Sequence, residues 1–274
     1  MAIVHLPTWY YQQFDADFER DVPAEGYGGW QVAELELALS RTALVVMHAW
    51  DCGTREEFPG WHRAVEYIPR ADAICRDVFP PLLGAAREAG LAVYHVVTPA
   101  SRPSYEQLPG YRRAVQLAGA APPAEQAAAG PVTQRLRRFR AERVFPGAHN
   151  QADTDRGFLR LGFAPNAQPQ SDEGIAEDGS QLYALCQADG IDHLVYAGFA
   201  INWCLLMSPG GMVDMSRHGL MCSALREAVT AVENRETARQ ELCKELALWR
   251  VSLAFGFVYR VADFIHALRS AATP

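Results

Sequence analysis

At 274 residues, of which 49% are hydrophobic, the chain is long enough to bury a substantial core as one large α/β domain or two small ones, and one domain is favoured. A formal charge of −7, with no Lys/Arg cluster interleaved with aromatics, excludes the electrostatic footprint of a nucleic-acid binder. No apolar stretch reaches the ~18 residues of a membrane span and no basic segment with an apolar core opens the chain, so a soluble, cytoplasmic protein without a membrane partner is expected.

The six cysteines, Cys52, Cys75, Cys186, Cys204, Cys222 and Cys243, are scattered without CxxC pairs. Neither a zinc site nor a disulfide framework is indicated, and most of these thiols are expected to be small buried hydrophobes. Lys244 is the single lysine among 25 Lys and Arg residues.

Residues 1–40 carry Trp9, Tyr10, Tyr11, Phe14, Phe18, Tyr27 and Trp30 with little regular apolar period. They are expected to form an extended arm over the chain's own surface or a neighbouring subunit's, since so many aromatics are poorly accommodated in water. From Thr42 the pattern becomes a buried strand, Ala43-Leu-Val-Val-Met47, followed by a loop with Gly53, Pro59 and Gly60. A helix is predicted from about Pro69 to Gly90 with a break at Pro80-Pro81, and then a second apolar strand, Leu91-Ala-Val-Tyr-His-Val-Val97. Strand, helix, strand at this spacing is a βαβ unit, which builds parallel sheet.

Residues 98–170 are less regular. The Pro/Ala/Gly-rich stretch Gly119 to Pro131 suggests a surface insertion, Arg135-Leu-Arg-Arg-Phe-Arg140 a solvated helix face, and Glu142-Arg-Val-Phe145 a short strand before a Pro146-Gly147 turn. Alternation resumes with a helix at about 176–189, strand His193-Leu-Val-Tyr-Ala197, a helix from about Asn202 to His218 and strand Leu220-Met-Cys-Ser-Ala224. A long helix at about 234–249, strand Phe257-Val-Tyr259 and a helix from Ala262 to Arg269 complete the pattern. The fold expected is α/β: a doubly wound sheet, in which ligands sit beyond the carboxyl ends of the strands. His48 and Phe199 fall at such ends.

The run Tyr196-Ala-Gly-Phe-Ala-Ile-Asn-Trp-Cys204 ends an apolar strand in a small-residue turn and delivers a cysteine to a helix start. Backbone N–H groups there favour a thiolate and can hold an oxyanion beside it. With Gly210-Gly-Met-Val-Asp-Met-Ser-Arg-His-Gly219, Thr42-Ala-Leu-Val-Val-Met47 and Leu182 to Gly198, this pattern resembles the isochorismatase-like cysteine hydrolases over roughly residues 42–270. The resemblance implies a doubly wound, mostly parallel six-stranded sheet with helices on both faces, a small-molecule substrate, cleavage of amides, ureas or related C–N bonds by an Asp, a Lys and a Cys, and assembly into a homodimer or homotetramer. It also implies an oxyanion hole from the N–H groups of Ala200 and Cys204, with a cis peptide at Phe199-Ala200.

Two parts of that pattern are absent. The acid position after the first strand is His48, with Asp51 three residues on, and Gln170-Ser-Asp-Glu-Gly174 holds no lysine where the family has one. Either His48 replaces the acid as general base for Cys204, with Asp51 orienting the imidazole, or the site is an inactive remnant that binds a ligand or supports assembly. Trp50 and Trp203 are candidates to stack on a planar substrate, Phe199 stands beside them, Asn202 is a candidate cap for the Cys204 helix, and His149 lies in a polar turn that could face the site. Some family members hold a metal after the second strand. Here that stretch offers His95 and no acid, so no metal and no cofactor are expected.

Overall fold

A computed structural model describes residues 2–119 and 128–272. The chain begins with strands β1 (Ile3–Gln12) and β2 (Gly29–Ala38), paired antiparallel with Ile3 opposite Ala38. Strand β3 (Thr42–Met47) follows, then helices α1 (Pro59–Ala64), α2 (Ile68–Asp77) and α3 (Phe79–Glu88) and strand β4 (Ala92–Val96). Helices α4 (Pro109–Ala118), α5 (Pro131–Arg143) and α6 (Gln151–Leu159) precede strand β5 (Gly174–Ala176), helix α7 (Gly179–Asp189) and strand β6 (His193–Phe199). Helix α8 (Met212–Arg217), strand β7 (Met221–Thr230), helix α9 (Leu242–Ala254), strand β8 (Val258–Tyr259) and helix α10 (Val261–Ala272) complete the order.

Among the described residues all strands join one sheet in the order β2-β1-β8-β7-β6-β3-β4-β5. The six from β5 to β8 are mutually parallel, and β1 and β2 extend that sheet antiparallel. The expected α/β layering is present, but the sheet has eight strands and is mixed. The two additional strands come from the aromatic N-terminal segment, where Val4, Leu6 and Thr8 point inward and Ile3 and His5 outward. In β1 the apolar residues Ile3 and Val4 and the aromatic run Trp9 to Tyr11 fall on both faces, so its alternation is faint in the sequence. Tyr11 and Trp30 meet edge to face at 5.5 Å, and Trp249 of α9 donates to Gln13 at 2.7 Å, while Phe14 and Phe18 are exposed.

Every residue of β3 is buried, because helices cover both faces of the central strands. Leu44 and Val46 pack with α2, α3 and α10, whereas Ala43, Val45 and Met47 pack with α4, α7, α8 and α9. Pro80 and Pro81 occupy the first turn of α3, where a missing N–H costs nothing, so they open a second helix after α2. Asp178 caps α7 by accepting from Gln181 N–H at 2.9 Å, and Gly190 ends it with φ of 71°.

Four other local expectations change. Glu142 and Arg143 end helix α5 and do not form a strand. Strand β5, unread in the sequence, adds a rung beside β4. The segment 202–218 is a π-helical turn, Ile201–Leu205, followed by the separate α8. The late helix starts at Leu242 rather than near 234, because Glu233 accepts the N–H groups of Cys243 and Lys244, each at 3.0 Å, and fixes the start there. Helix α5 is exposed along its length, basic run included, and most of the Gly119–Pro131 insertion lies outside the described residues. Among the described residues no helix is long and apolar enough to cross a membrane.

Candidate active site

Strands β3, β4 and β6 end side by side, and the residues just beyond them form the floor of a cavity of about 200 Å³. Gly198 makes the close approach possible. It has φ of 123°, and a Cβ there would overlap the Met47 carbonyl oxygen, so only glycine lets β6 press this tightly on β3. Phe199 and the turn carrying Cys204 are thereby brought to the same cavity as His48.

His48 leaves β3 with φ of 54°, and its N–H donates to the Val96 carbonyl at 3.0 Å. A histidine in the left-handed region is uncommon, and it turns this side chain out of the strand toward the cavity. The imidazole stacks on Trp50 with ring centroids 5.1 Å apart. Burial lowers its pKa from 6.5 to about 4, against a smaller opposing effect of its hydrogen bond to the Val97 backbone. The ring is therefore neutral at pH 7. One ring nitrogen is directed at the Val97 backbone.

Cys204 lies in the turn Ile201–Leu205 and is half-buried. The Phe199–Ala200 peptide bond is cis. The Ala200 carbonyl accepts from the N–H groups of Trp203 at 3.1 Å and Leu205 at 3.2 Å, passing over Cys204 between them.

The remaining walls come from elsewhere in the chain. The α1–α2 segment contributes Trp61, Val65, Tyr67, Ile68 and Ala71, and the end of α6 and its loop contribute Phe158 and Leu161. Cys52 and Thr98 also reach the cavity. Burial and the nearby Asp72 and Asp51 push the Cys52 thiol up to about 12, so it stays protonated. The Tyr67 phenol is likewise held protonated, by burial first and then by its proximity to Cys204 and Cys52.

The structure brings His48, Trp50, Phe199 and Cys204 together, with Ala200 in the same turn. It does not place Asp51, Asn202, Trp203 or His149 on the cavity wall. Asp51 accepts from Gly53 N–H at 2.9 Å and pairs with Arg160 at 3.5 Å, so it does not orient the imidazole. Asn202 does not cap the Cys204 turn. Its side chain donates to the Val232 carbonyl at 2.8 Å and accepts the Val232 N–H at 2.9 Å, tying the turn to the loop after β7. Trp203 and His149 are exposed.

Cys52, Trp61, Tyr67, Thr98, Phe158 and Leu161 carry no motif that would single them out in sequence. His95 does have an acid beside it, Glu173 at 3.0 Å, brought from a distant loop and shared with Arg87 at 2.7 Å. Among the described residues no group of three or more His, Cys, Asp or Glu is arranged to hold a metal ion.

No family model and no curated protein matches the chain. Among solved structures it is similar to a cysteine hydrolase from Pseudomonas syringae pv. phaseolicola, with 16% identity and a TM-score of 0.47 over 86% of this chain and 95% of that one. It is similar to an isochorismatase family protein from Burkholderia thailandensis, with 16% identity and a TM-score of 0.47 over 84% of this chain and 96% of that one. It is also similar to the YcaC gene product of Escherichia coli, described as an octameric hydrolase of unknown specificity, with 12% identity and a TM-score of 0.42 over 85% and 82% of the two chains. The solved structures that this chain resembles thus include isochorismatase-family and cysteine-hydrolase structures, at identities that leave the chemistry of the site to its own residues.

Proposed function

We propose that the chain is a cysteine-dependent hydrolase of a small amide, carbamoyl or ester substrate, with Cys204 as nucleophile and His48 as general base. The observation that carries this proposal is the shared cavity. A half-buried thiol and a neutral imidazole line the same pocket at the carboxyl ends of β3 and β6. Burial disfavours its protonated form, so the imidazole rests neutral and its nitrogen lone pair is not already occupied by a proton, although burial also weakens it as a base.

In the first step the Cys204 Sγ–H proton passes to His48 as the S–C bond forms and the carbonyl π pair moves onto oxygen. The N–H groups of Ala200 and Cys204 hold that oxyanion. On collapse the C–N or C–O bond breaks, and the imidazolium returns its proton to the leaving group. His48 then takes a proton from water as the water oxygen attacks the thioester, and the departing sulfur recovers the proton as a thiol. An imidazolium of pKa about 4 is a strong acid, suited to leaving groups that need a proton as they depart. Trp50 and Phe199 form walls for the acyl part.

Alkylation by iodoacetamide with peptide mapping tests the dyad. Cys204 is expected to react faster at neutral pH than a model thiol, His48→Ala is expected to slow it, and Cys52 serves as the inert internal control. Labelling at the model-thiol rate, unchanged in His48→Ala, refutes the dyad. An acyl adduct found by mass spectrometry on Cys204, after exposure to a panel of amides and esters, would identify the bond cleaved.

A further inference from the structure

No residue of helix α5 is buried. Spacings of four and three set Val132, Leu136 and Phe139 on one face, with Arg143 next in the row and Arg135 and Arg140 on its flanks. A single exposed apolar side chain needs no explanation, but a row of three, with Phe139 60% exposed, is a patch. The helix carries five arginines against one acid, Glu142, and among the described residues none of the five meets a carboxylate. A second exposed surface has the opposite charge and the same apolar character. The β1–β2 loop, residues 13–28, carries Asp15, Asp17, Glu19, Asp21 and Glu25 against Arg20, and it exposes Phe14, Val22 and Phe18, the last at 85%. The loop holds its own shape. Asp17 N–H donates to the Pro23 carbonyl at 3.0 Å, and the Arg20 guanidinium donates to the Asp17 carboxylate at 2.9 Å and to the Glu25 carbonyl at 3.0 Å. Little of its ordering remains to be supplied when it binds.

We propose that α5 of one copy docks on the β1–β2 loop of a second copy of this chain. Five arginines with one acid face five acids with one arginine, a net +4 against −4, and the two apolar rows cover each other. One chain cannot satisfy itself. Strands β2 and β5 are the two edges of the sheet, seven strand spacings or roughly 34 Å apart. The loop belongs to the β2 edge, whereas α5 follows α4, which packs on β5. Surfaces at opposite edges meet only between copies. An anionic lipid surface would account for α5 and leave the acidic, aromatic loop unexplained, and a second copy accounts for both. A 13-residue helix is about 20 Å long, a small contact beside that of a stable complex, so the association depends strongly on charge. None of this depends on the chemistry of Cys204.

Sedimentation velocity and photocrosslinking of the full chain test the proposal. The wild-type protein is expected to self-associate at about 0.1 M salt and to lose this association at about 1 M, where the Debye length has fallen from ~10 Å to ~3 Å. Reversing three charges on the helix (Arg135→Glu, Arg140→Glu, Arg143→Glu) or three on the loop (Asp15→Lys, Glu19→Lys, Asp21→Lys) is expected to weaken association at least about ten-fold. All six side chains are exposed, so circular dichroism is expected to be unchanged, and the variant carrying both sets is expected to associate again. In a mixture of unlabelled and heavy-isotope-labelled chains, Phe139→benzoylphenylalanine is expected to crosslink to residues 13–28 of the other copy. A protein that stays a monomer at its highest soluble concentration overturns the proposal, as does association that neither set of reversals weakens. Failure of the combined variant to associate, or crosslinks confined to other segments, also overturns it. A monomer that sediments with phosphatidylserine vesicles overturns it in favour of an anionic lipid surface.

Discussion

The Trp61 indole lies against the bare backbone of Gly157: a Cβ at Gly157 would fall inside the ring. This contact joins α1 to α6 and sets one wall of the cavity, with Phe158 beside it. Gly157→Ala must therefore move the indole. Overpacking of this kind costs about 1–3 kcal/mol, which lowers Tm by roughly 2–4 °C per kcal/mol in a chain of this size. Calorimetry checks it. A variant with unchanged Tm would show that the indole has room to shift.

Acid should act on catalysis and on stability over different ranges. The folded protein keeps His48 neutral down to about pH 4, so the rate of the Cys204 step is expected to hold from neutral pH and to fall only as pH drops through about 4. In the unfolded chain the same ring takes its proton near 6.5. Stability is thus full above 6.5 and is lost as pH falls from there to about 4, by on the order of 2–3 kcal/mol from this group. His193, lowered to about 4 by burial, loses stability in the same direction, so His48→Gln should remove part of the slope and not all of it. Urea titrations between pH 4 and 7 measure this, and a slope unchanged in His48→Gln would contradict it.

Asn202 holds the Cys204 turn through two hydrogen bonds to the backbone of Val232. Asn202→Ala leaves both Val232 groups without these partners, at about 1–3 kcal/mol. Because the turn carries the nucleophile, the iodoacetamide rate at Cys204 is expected to change along with stability. A loss of stability with an unaltered Cys204 rate would limit Asn202 to holding the loop.

Glu173 ties three segments together, accepting from Arg87 at 2.7 Å, His95 at 3.0 Å and Gln170 N–H at 2.9 Å. Burial alone would raise its pKa, but these donors outweigh burial and lower it from 4.5 to about 2. Its contribution is present above pH 4.5 and is lost as pH falls toward 2. Glu173→Gln leaves Arg87 and His95 without their anion and is expected to cost about 3 kcal/mol or more at pH 7, measured by denaturant unfolding. A cost under about 1 kcal/mol, the scale of an exposed pair, would mean that solvent already screens this cluster.

The parallel centre of the fold was legible because β3, β4 and β6 are unbroken apolar runs between turn residues, which is how strands covered on both faces appear. Strand β5 was not, since three small or aliphatic residues, Gly174 to Ala176, give no period to read. His48 and Cys204 could be placed at strand ends from the sequence, but it was the resemblance that singled them out as a pair. The cavity walls could not, because Trp61 and Phe158 meet across nearly a hundred residues and each looks like an ordinary helix aromatic in isolation. The same limit hid the partners of Asn202 and His95. Val232 and Glu173 become neighbours only through the sheet order and the loops it aligns.

Strand β8 pairs with β1 through only Thr8–Tyr259 and Trp9–Val258, whereas β1 and β2 pair along ten positions. The first forty residues are therefore far more strongly bonded to each other than to the rest of the sheet. Their attachment relies instead on side chains: Val4, Leu6, Leu37 and Leu39 are buried in the core beside α3 and α10, and Trp249 and Ser252 of α9 reach Gln13 and the Tyr11 N–H. Under load or mild denaturant the ladder has a seam there. The hairpin would part along it as a unit, leaving the parallel strands that carry His48 and Cys204 still joined to one another.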